Sequence, residues 1–154
     1  MANSNRRLRS AGAATIGAAG MSKRVLTFVD AGVLIAAARG TGAKALAAFS
    51  VLDDPDREFA SSLFVQLEIL PKAIYNKQQA EESFYRSYFA AVSRWADPVD
   101  ILNKALNVAS TYGLSALDGL HVAAALTVGA DELVTTEGTS KPMHRAAGVK
   151  ITTI

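Results

Sequence analysis

Val25-Leu26-Thr27-Phe28-Val29 is a nearly unbroken β-branched and aromatic run that stops at Asp30. A run without polar alternation suits a strand buried on both faces, as in a parallel sheet. The pattern then turns helical over residues 31–38, breaks at Gly40-Thr41-Gly42 and resumes over 43–52. Asp53-Asp54-Pro55-Asp56 is turn chemistry, and residues 57–62 predict a second short strand. Residues 63–77 read as a helix interrupted or kinked at Pro71. Residues 78–95 form a stronger amphipathic helix, stopped by Asp97-Pro98. A brief strand is predicted over 99–102, then a helix over 103–112 closed by Gly113 and another over 115–128 ended by Gly129. Residues 133–136 and 149–154 predict two further strands. Strands alternating with helices call for an α/β fold, a three-layer α/β/α sandwich whose central, mostly parallel sheet has about five strands joined by right-handed crossovers.

With 154 residues the chain fits one domain. Half of the residues are hydrophobic and 19% are charged, which excludes disorder throughout. There is no cysteine, so a disulfide framework, a thiolate zinc site and a cysteine nucleophile are all excluded. No apolar run approaches the roughly 18 residues that a membrane span needs, and a cytoplasmic location is expected. The net charge of +2 divides unevenly: residues 1–24 hold five bases and no acid, while residues 25–154 hold the other 11 bases and all 14 acids. The body is therefore slightly acidic, and global charge gives no argument for nucleic acid. Residues 1–22 are expected to be a basic tail outside a domain spanning 23–154, either a disordered extension or an upstream start ahead of Met21. Arg6-Arg7-Leu8-Arg9 is similar to a twin-arginine signal, but residues 11–20 are only weakly apolar and Lys23-Arg24 stands where a cleavage site belongs.

Four carboxylates sit in surroundings unlike those of solvated surface charge. Asp30 ends the first strand, where the carboxyl end of a parallel sheet forms ligand crevices. Glu68 interrupts the apolar run Phe64-Val65-Gln66-Leu67-Glu68-Ile69-Leu70, Asp118 opens an Ala-rich helix, and Glu137 follows Leu133-Val134-Thr135-Thr136. A buried ionised carboxylate is costly unless it is paired or binds a metal. Each also has a structural alternative. Asp30 can cap the following helix, and Ser115 with Asp118 fits a capping box. Glu68 can pair with Lys72 one turn on, and Glu137 can be an ordinary loop acid before Gly138.

The order and contexts of these acids resemble the PIN domain, the nuclease fold of many VapC-type toxins. Val29-Asp30-Ala31-Gly32-Val33-Leu34-Ile35 is similar to its opening motif, and Leu117-Asp118-Gly119-Leu120-His121-Val122-Ala123-Ala124-Ala125 to its central one. Leu133-Val134-Thr135-Thr136-Glu137 resembles the late strand motif, with Glu where that family more often has Asp. The resemblance covers residues 24–154 and implies a metal-dependent ribonuclease, possible toxin of a toxin–antitoxin pair, with Mg²⁺ or Mn²⁺ as cofactor. It implies Asp30, Asp118 and Glu137 as direct or water-mediated ligands, Glu68 completing the cage or orienting the attacking water, and Thr135 bonding a ligand acid or a water. Carboxylate oxygens favour such hard cations over zinc. Lys72, Lys141 and Arg145 are the candidate contacts for RNA, with solubility as the alternative role of surface bases. The competing reading is a non-catalytic module of the same fold that binds RNA or a protein partner.

His121 lies three residues after Asp118 on nearly the same helix face and is expected to be a packed or hydrogen-bonded core residue. His144 carries no specific signal. Phe84, Tyr85, Tyr88, Phe89 and Trp95 recur at helical steps in a stripe wide enough to suggest a homodimer through that helix and its neighbour. An antitoxin partner would be a separate chain.

Overall fold

A computed structural model describes residues 23–154; the expected basic tail at 1–22 lies outside them. Five strands, β1 (Val25–Val29), β2 (Arg57–Ser61), β3 (Arg94–Trp95), β4 (Glu132–Thr135) and β5 (Lys150–Thr153), form one sheet in the order β3-β2-β1-β4-β5. All four pairings are parallel, with Phe28 opposite Ala60 on one side and Leu133 on the other. Phe28, Val29 and Leu133 are wholly buried, and Val134 nearly so, as expected of central strands covered on both faces.

Helices α1 (Ala31–Arg39), α2 (Ala43–Leu52), α3 (Leu63–Tyr75) and α4 (Gln79–Ala91) lie in the connections from β1 to β3. Helices α5 (Pro98–Tyr112) and α6 (Ala116–Thr127) make the return to β4, and a short 3₁₀ helix (Pro142–Arg145) precedes β5. The strand sequence runs one way from β1 to β3 and the other way from β1 through β4 to β5. Right-handed crossovers therefore place α1–α4 on one face and α5 and α6 on the other. The α/β architecture agrees with the sequence pattern.

Three elements differ from expectation. The helix predicted over 78–95 ends at Ala91, and Arg94–Trp95 pairs with Ala60 and Ser61 as an edge strand. The strand predicted over 99–102 is the first turn of α5. Asp97 accepts hydrogen bonds from the Val99 and Asp100 amides at 2.9 and 3.1 Å, and Pro98 takes the first helical position, where its missing N–H costs nothing. Asp97-Pro98 thus starts one helix rather than merely stopping another. Pro71 does not break α3, which runs on to Tyr75. It lies on the solvent side, and the carbonyl it leaves without an N–H donor belongs to exposed Leu67.

The aromatic stripe is largely consumed inside the chain. Tyr85, Tyr88 and Phe89 are buried, and edge contacts link Phe59 to Tyr88 and Tyr88 to Phe89. Trp95, at the end of the stripe, stays partly in water, and most other large exposed apolar side chains lie elsewhere, among them Leu63, Leu67 and Ile74 on α3 and Val99, Leu102 and Leu106 on α5.

Candidate metal centre

The strand order reverses between β1 and β4, and the crevice at the carboxyl ends of such a pair is where open parallel sheets bind ligands. Asp30 is the residue after β1. Its amide donates to the Val134 carbonyl at 2.9 Å, extending the β1–β4 pairing and fixing the turn into α1. Its carboxylate does two jobs. Oδ1 caps α1, accepting from the Gly32 amide at 3.5 Å, and Oδ2 accepts from the Thr135 hydroxyl at 2.8 Å. Thr135 Oγ1 in turn accepts from the Glu137 amide at 3.0 Å, so β4 and the loop beyond it are tied to Asp30. Burial pushes the Asp30 carboxyl above the usual carboxylate range. His121 and Thr135 pull against that rise, Glu68 adds to it, and the Gly32 amide opposes it.

Glu68 projects from the middle of α3 and meets His121 of α6, with Oε2 2.8 Å from Nε2. Lys72 is not its partner, so the alternative of a pairing along one helix face gives way to a contact between helices. Asp30, Glu68 and His121 each bring one ligand-capable atom to within 4.8 Å of the others. Among the described residues no further carboxylate joins them at that distance.

Asp118 stands half-exposed in the first turn of α6, where its amide donates to the Ser115 hydroxyl at 3.3 Å. The cap expected of Ser115 is thus present, and Asp118 lies one turn before His121. Glu137 sits two residues past β4, its carbonyl accepting from Thr153 Oγ1 at 2.7 Å and from His144 Nε2 at 3.0 Å. These bonds fix the backbone there while the carboxylate has no hydrogen-bond partner among the described residues. The four predicted acids therefore divide: Asp30 and Glu68 converge, and Asp118 and Glu137 flank the cluster.

A cavity of about 120 Å³ opens beside Glu68, lined by Lys72, Arg39, Glu81 and Tyr85 among others. Arg39 and Glu81 form an ion pair at 2.8 Å, and the Tyr85 hydroxyl donates to the same carboxylate at 2.7 Å. Hydrogen bonding to Arg39 holds the Glu81 carboxyl below its ordinary range against the opposing effect of burial. Lys72 is exposed, without an ion-pair partner among the described residues. Lys141 and Arg145 are exposed at the 3₁₀ helix, and Arg145 lies beside Gly113 in the turn that leads to Asp118.

His121 is the site residue that sequence reasoning undervalued. It is buried and hydrogen-bonded as expected, but its partner is Glu68. Its spacing of three from Asp118 carried the signal; the burial that makes it look structural is the same burial that aims it at the cluster.

A family model for the PIN domain matches residues 27–147. The chain belongs to the PIN domain family. Among solved structures it is similar to VapBC2 from Rickettsia felis, determined with a DNA fragment from their promoter, with a TM-score of 0.66 and 12% identity over 84% of this chain and 99% of that one. It also resembles a toxin–antitoxin complex from Klebsiella pneumoniae, with a TM-score of 0.62 and 22% identity over 80% of this chain and 94% of that one. VapBC-5 from Mycobacterium tuberculosis, a member of the VapBC family of toxin–antitoxin systems, gives 0.59 and 16% over 84% and 99%. At these identities the likeness shows the fold. Among curated proteins no sequence match was found.

The PIN-domain donor set fits a divalent cation. Two carboxylates approach each other at a buried strand end, one with its ionised form disfavoured by burial, and a cation between them relieves both costs. Oxygen donors suit Mg²⁺ or Mn²⁺, and an imidazole nitrogen within reach is tolerated by Mn²⁺.

Proposed function

We propose that this PIN-domain chain is a metal-dependent endoribonuclease that hydrolyses RNA phosphodiester bonds, and the toxin of a toxin–antitoxin pair. The observation that carries the reading is the convergence of Asp30 and Glu68 at the β1–β4 switch point. The fold shared with toxin–antitoxin proteins supports the partner, an antitoxin protein encoded as a separate chain.

Asp30 and Glu68 would hold Mg²⁺ or Mn²⁺, with Asp118 and Glu137 contributing directly or through water as substrate phosphate enters. The cation would neutralise the phosphodiester and lower the pKa of a water molecule. Glu68 would orient that water for attack on phosphorus, and Thr135 holds Asp30 in place through its hydroxyl. Lys72, on the turn after Glu68, meets the RNA backbone on one side of the crevice, and Arg145 and Lys141 meet it on the other. A cytoplasmic location is part of the same reading; among the described residues no helix is long and apolar enough to cross a membrane.

The second reading, a non-catalytic PIN-domain module, draws on Asp118 and Glu137 standing outside the cluster. One experiment separates the two. Mn²⁺ is titrated while thermal stability and cleavage of a single-stranded RNA are followed, for the wild-type chain and for Asp30→Asn. Stabilisation and cleavage that both vanish in the variant support the nuclease. Absence of any Mn²⁺ response in the wild type supports the module.

A further inference from the structure

We propose that His121 is the positioning residue of this centre, holding Glu68 through Nε2–H rather than binding the metal itself; the inference rests on the metal-centre reading above. Glu68 reaches the crevice on a flexible side chain from α3, whereas the other members of the cluster lie on or beside the β1–β4 edge and α6. The hydrogen bond at 2.8 Å to His121 is the one its carboxylate makes to a protein group among the described residues. His121 is almost completely buried, and its ring tilts against Phe28 of β1 with centroids 6.3 Å apart. A rigid ring wedged between α6 and the sheet therefore anchors one oxygen of Glu68, and the other, Oε1, would be the one available to a cation.

The other ring nitrogen decides between anchor and ligand. Nδ1 is buried and has no hydrogen-bond partner among the described residues. With the proton on Nε2, Nδ1 is a bare lone pair, and the Nε2–H donates to Glu68. Ligation through Nε2 would move the proton to Nδ1 and bury an N–H with nothing to accept it. Metal-bound histidines instead donate that second N–H to a carboxylate, carbonyl or water. The unpartnered Nδ1 fits the anchor and not the ligand.

The test measures Mn²⁺ affinity by calorimetric titration of the full chain, alongside melting without metal. His121→Leu keeps the volume and removes the donor; its affinity is expected to fall roughly 10- to 100-fold, the range for losing a group that orients a ligand. His121→Gln places a carboxamide N–H near the position of Nε2 and is expected to restore affinity to near the wild-type value. His121→Asn, one bond shorter, is expected to remain weak. Glu68→Gln should lose affinity whether or not His121 is altered, so the two changes together are no worse than Glu68→Gln alone. A folded His121→Leu that binds Mn²⁺ as the wild type does overturns the inference, and so does a His121→Gln as weak as His121→Leu, which would make the ring a ligand. If His121→Leu does not fold, the Gln and Asn variants carry the comparison, and equal affinities for the two overturn it. A wild-type chain that binds no Mn²⁺ at all overturns the metal centre itself, a result distinct from binding that is indifferent to His121.

Discussion

Asp30 shows how one side chain can serve structure and chemistry at cross purposes. As the cap of α1 it stabilises the fold, since replacing such a cap by Ala costs about 1 kcal/mol; as a buried carboxylate with Glu68 nearby it opposes folding in its ionised form. Its folded pKa is raised above the ordinary value of 3.8. Between that value and the raised one the folded state keeps a proton that the unfolded chain has shed. Metal-free stability therefore falls as pH rises through that window and stays lower above it. Asp30→Asn keeps a capping oxygen and removes the charge. In the presence of a chelator the variant is expected to melt higher than wild type at neutral pH, with the difference shrinking as pH drops below the ordinary carboxylate range. Melting curves for the two proteins across pH 3–8 (the range in which carboxylates and histidines titrate) check this, and a variant less stable than wild type at neutral pH would contradict it. Of the two roles weighed for Asp30 in the sequence, the cap is seen directly, and the same residue also stands in the cluster with Glu68 and His121, because a strand end that opens a crevice is also a helix start. For Glu68 the sequence offered a place in the cage or a pairing with Lys72 on its own helix, but not its hydrogen-bond partner. His121 lies 53 residues away, a distance that only the tertiary fold spans.

The legibility of elements follows how local their causes are. β1, α1, α6 and β4 were readable because an apolar run, a cap and a glycine each act within a few residues. Ser115 caps α6 and Gly113 closes α5 in the left-handed conformation, as their positions suggested. The edge strand β3 was not readable: two residues pair with β2 only because α4 ends early and the chain returns to the sheet. Gly32 and Gly119 mark close approaches of a kind that a sequence pattern conceals. A Cβ on Gly119 would lie 2.9 Å from the Ala109 side chain, so α5 and α6 touch through small residues. A Cβ on Gly32 would overlap Thr136 Oγ1, so either the Thr136 side chain or the junction of α1 with the end of β4 must shift. Gly32→Ala is therefore expected to destabilise the fold by about 1–3 kcal/mol, the range for overpacking a well-filled site. It should also weaken Mn²⁺ binding, because the Asp30–Thr135 bond spans the same junction. Chemical denaturation and metal titration measure the two effects, and unchanged stability would mean that Thr136 simply rotates aside.

At the scale of the molecule, the sheet order brings Asp30 to the β1–β4 crevice and leaves apolar faces of two helices in water. The crevice lies between β1 and β4, whereas α3 and α5 lie in crossovers on opposite sides of the sheet, and each carries an apolar stripe in water. Leu67 is 67% exposed within a shallow groove that Leu63, Leu70, Pro71 and Ile74 also line, almost without polar surface. The wide aromatic stripe that suggested a homodimer is largely turned inward, but α3, which packs beside α4, presents this groove to water. Burying such a face recovers roughly 25 cal/mol per Å² of apolar area, and a second copy can match the groove with its own by two-fold symmetry. The expected outcome is a homodimer at high micromolar concentration by light scattering. Leu67→Glu should shift it to monomer, because a carboxylate in the middle of the contact meets its own copy across the axis. The apolar stripe on α5 would then remain for a different protein, so Leu106→Glu should leave the mass unchanged. Glu68 and Lys72 stand on the same helix as Leu67, so a contact through α3 would bring two crevices toward one another. A monomeric wild type, or a dimer equally sensitive to Leu106→Glu, would remove α3 as the self-association surface while leaving the metal centre untouched.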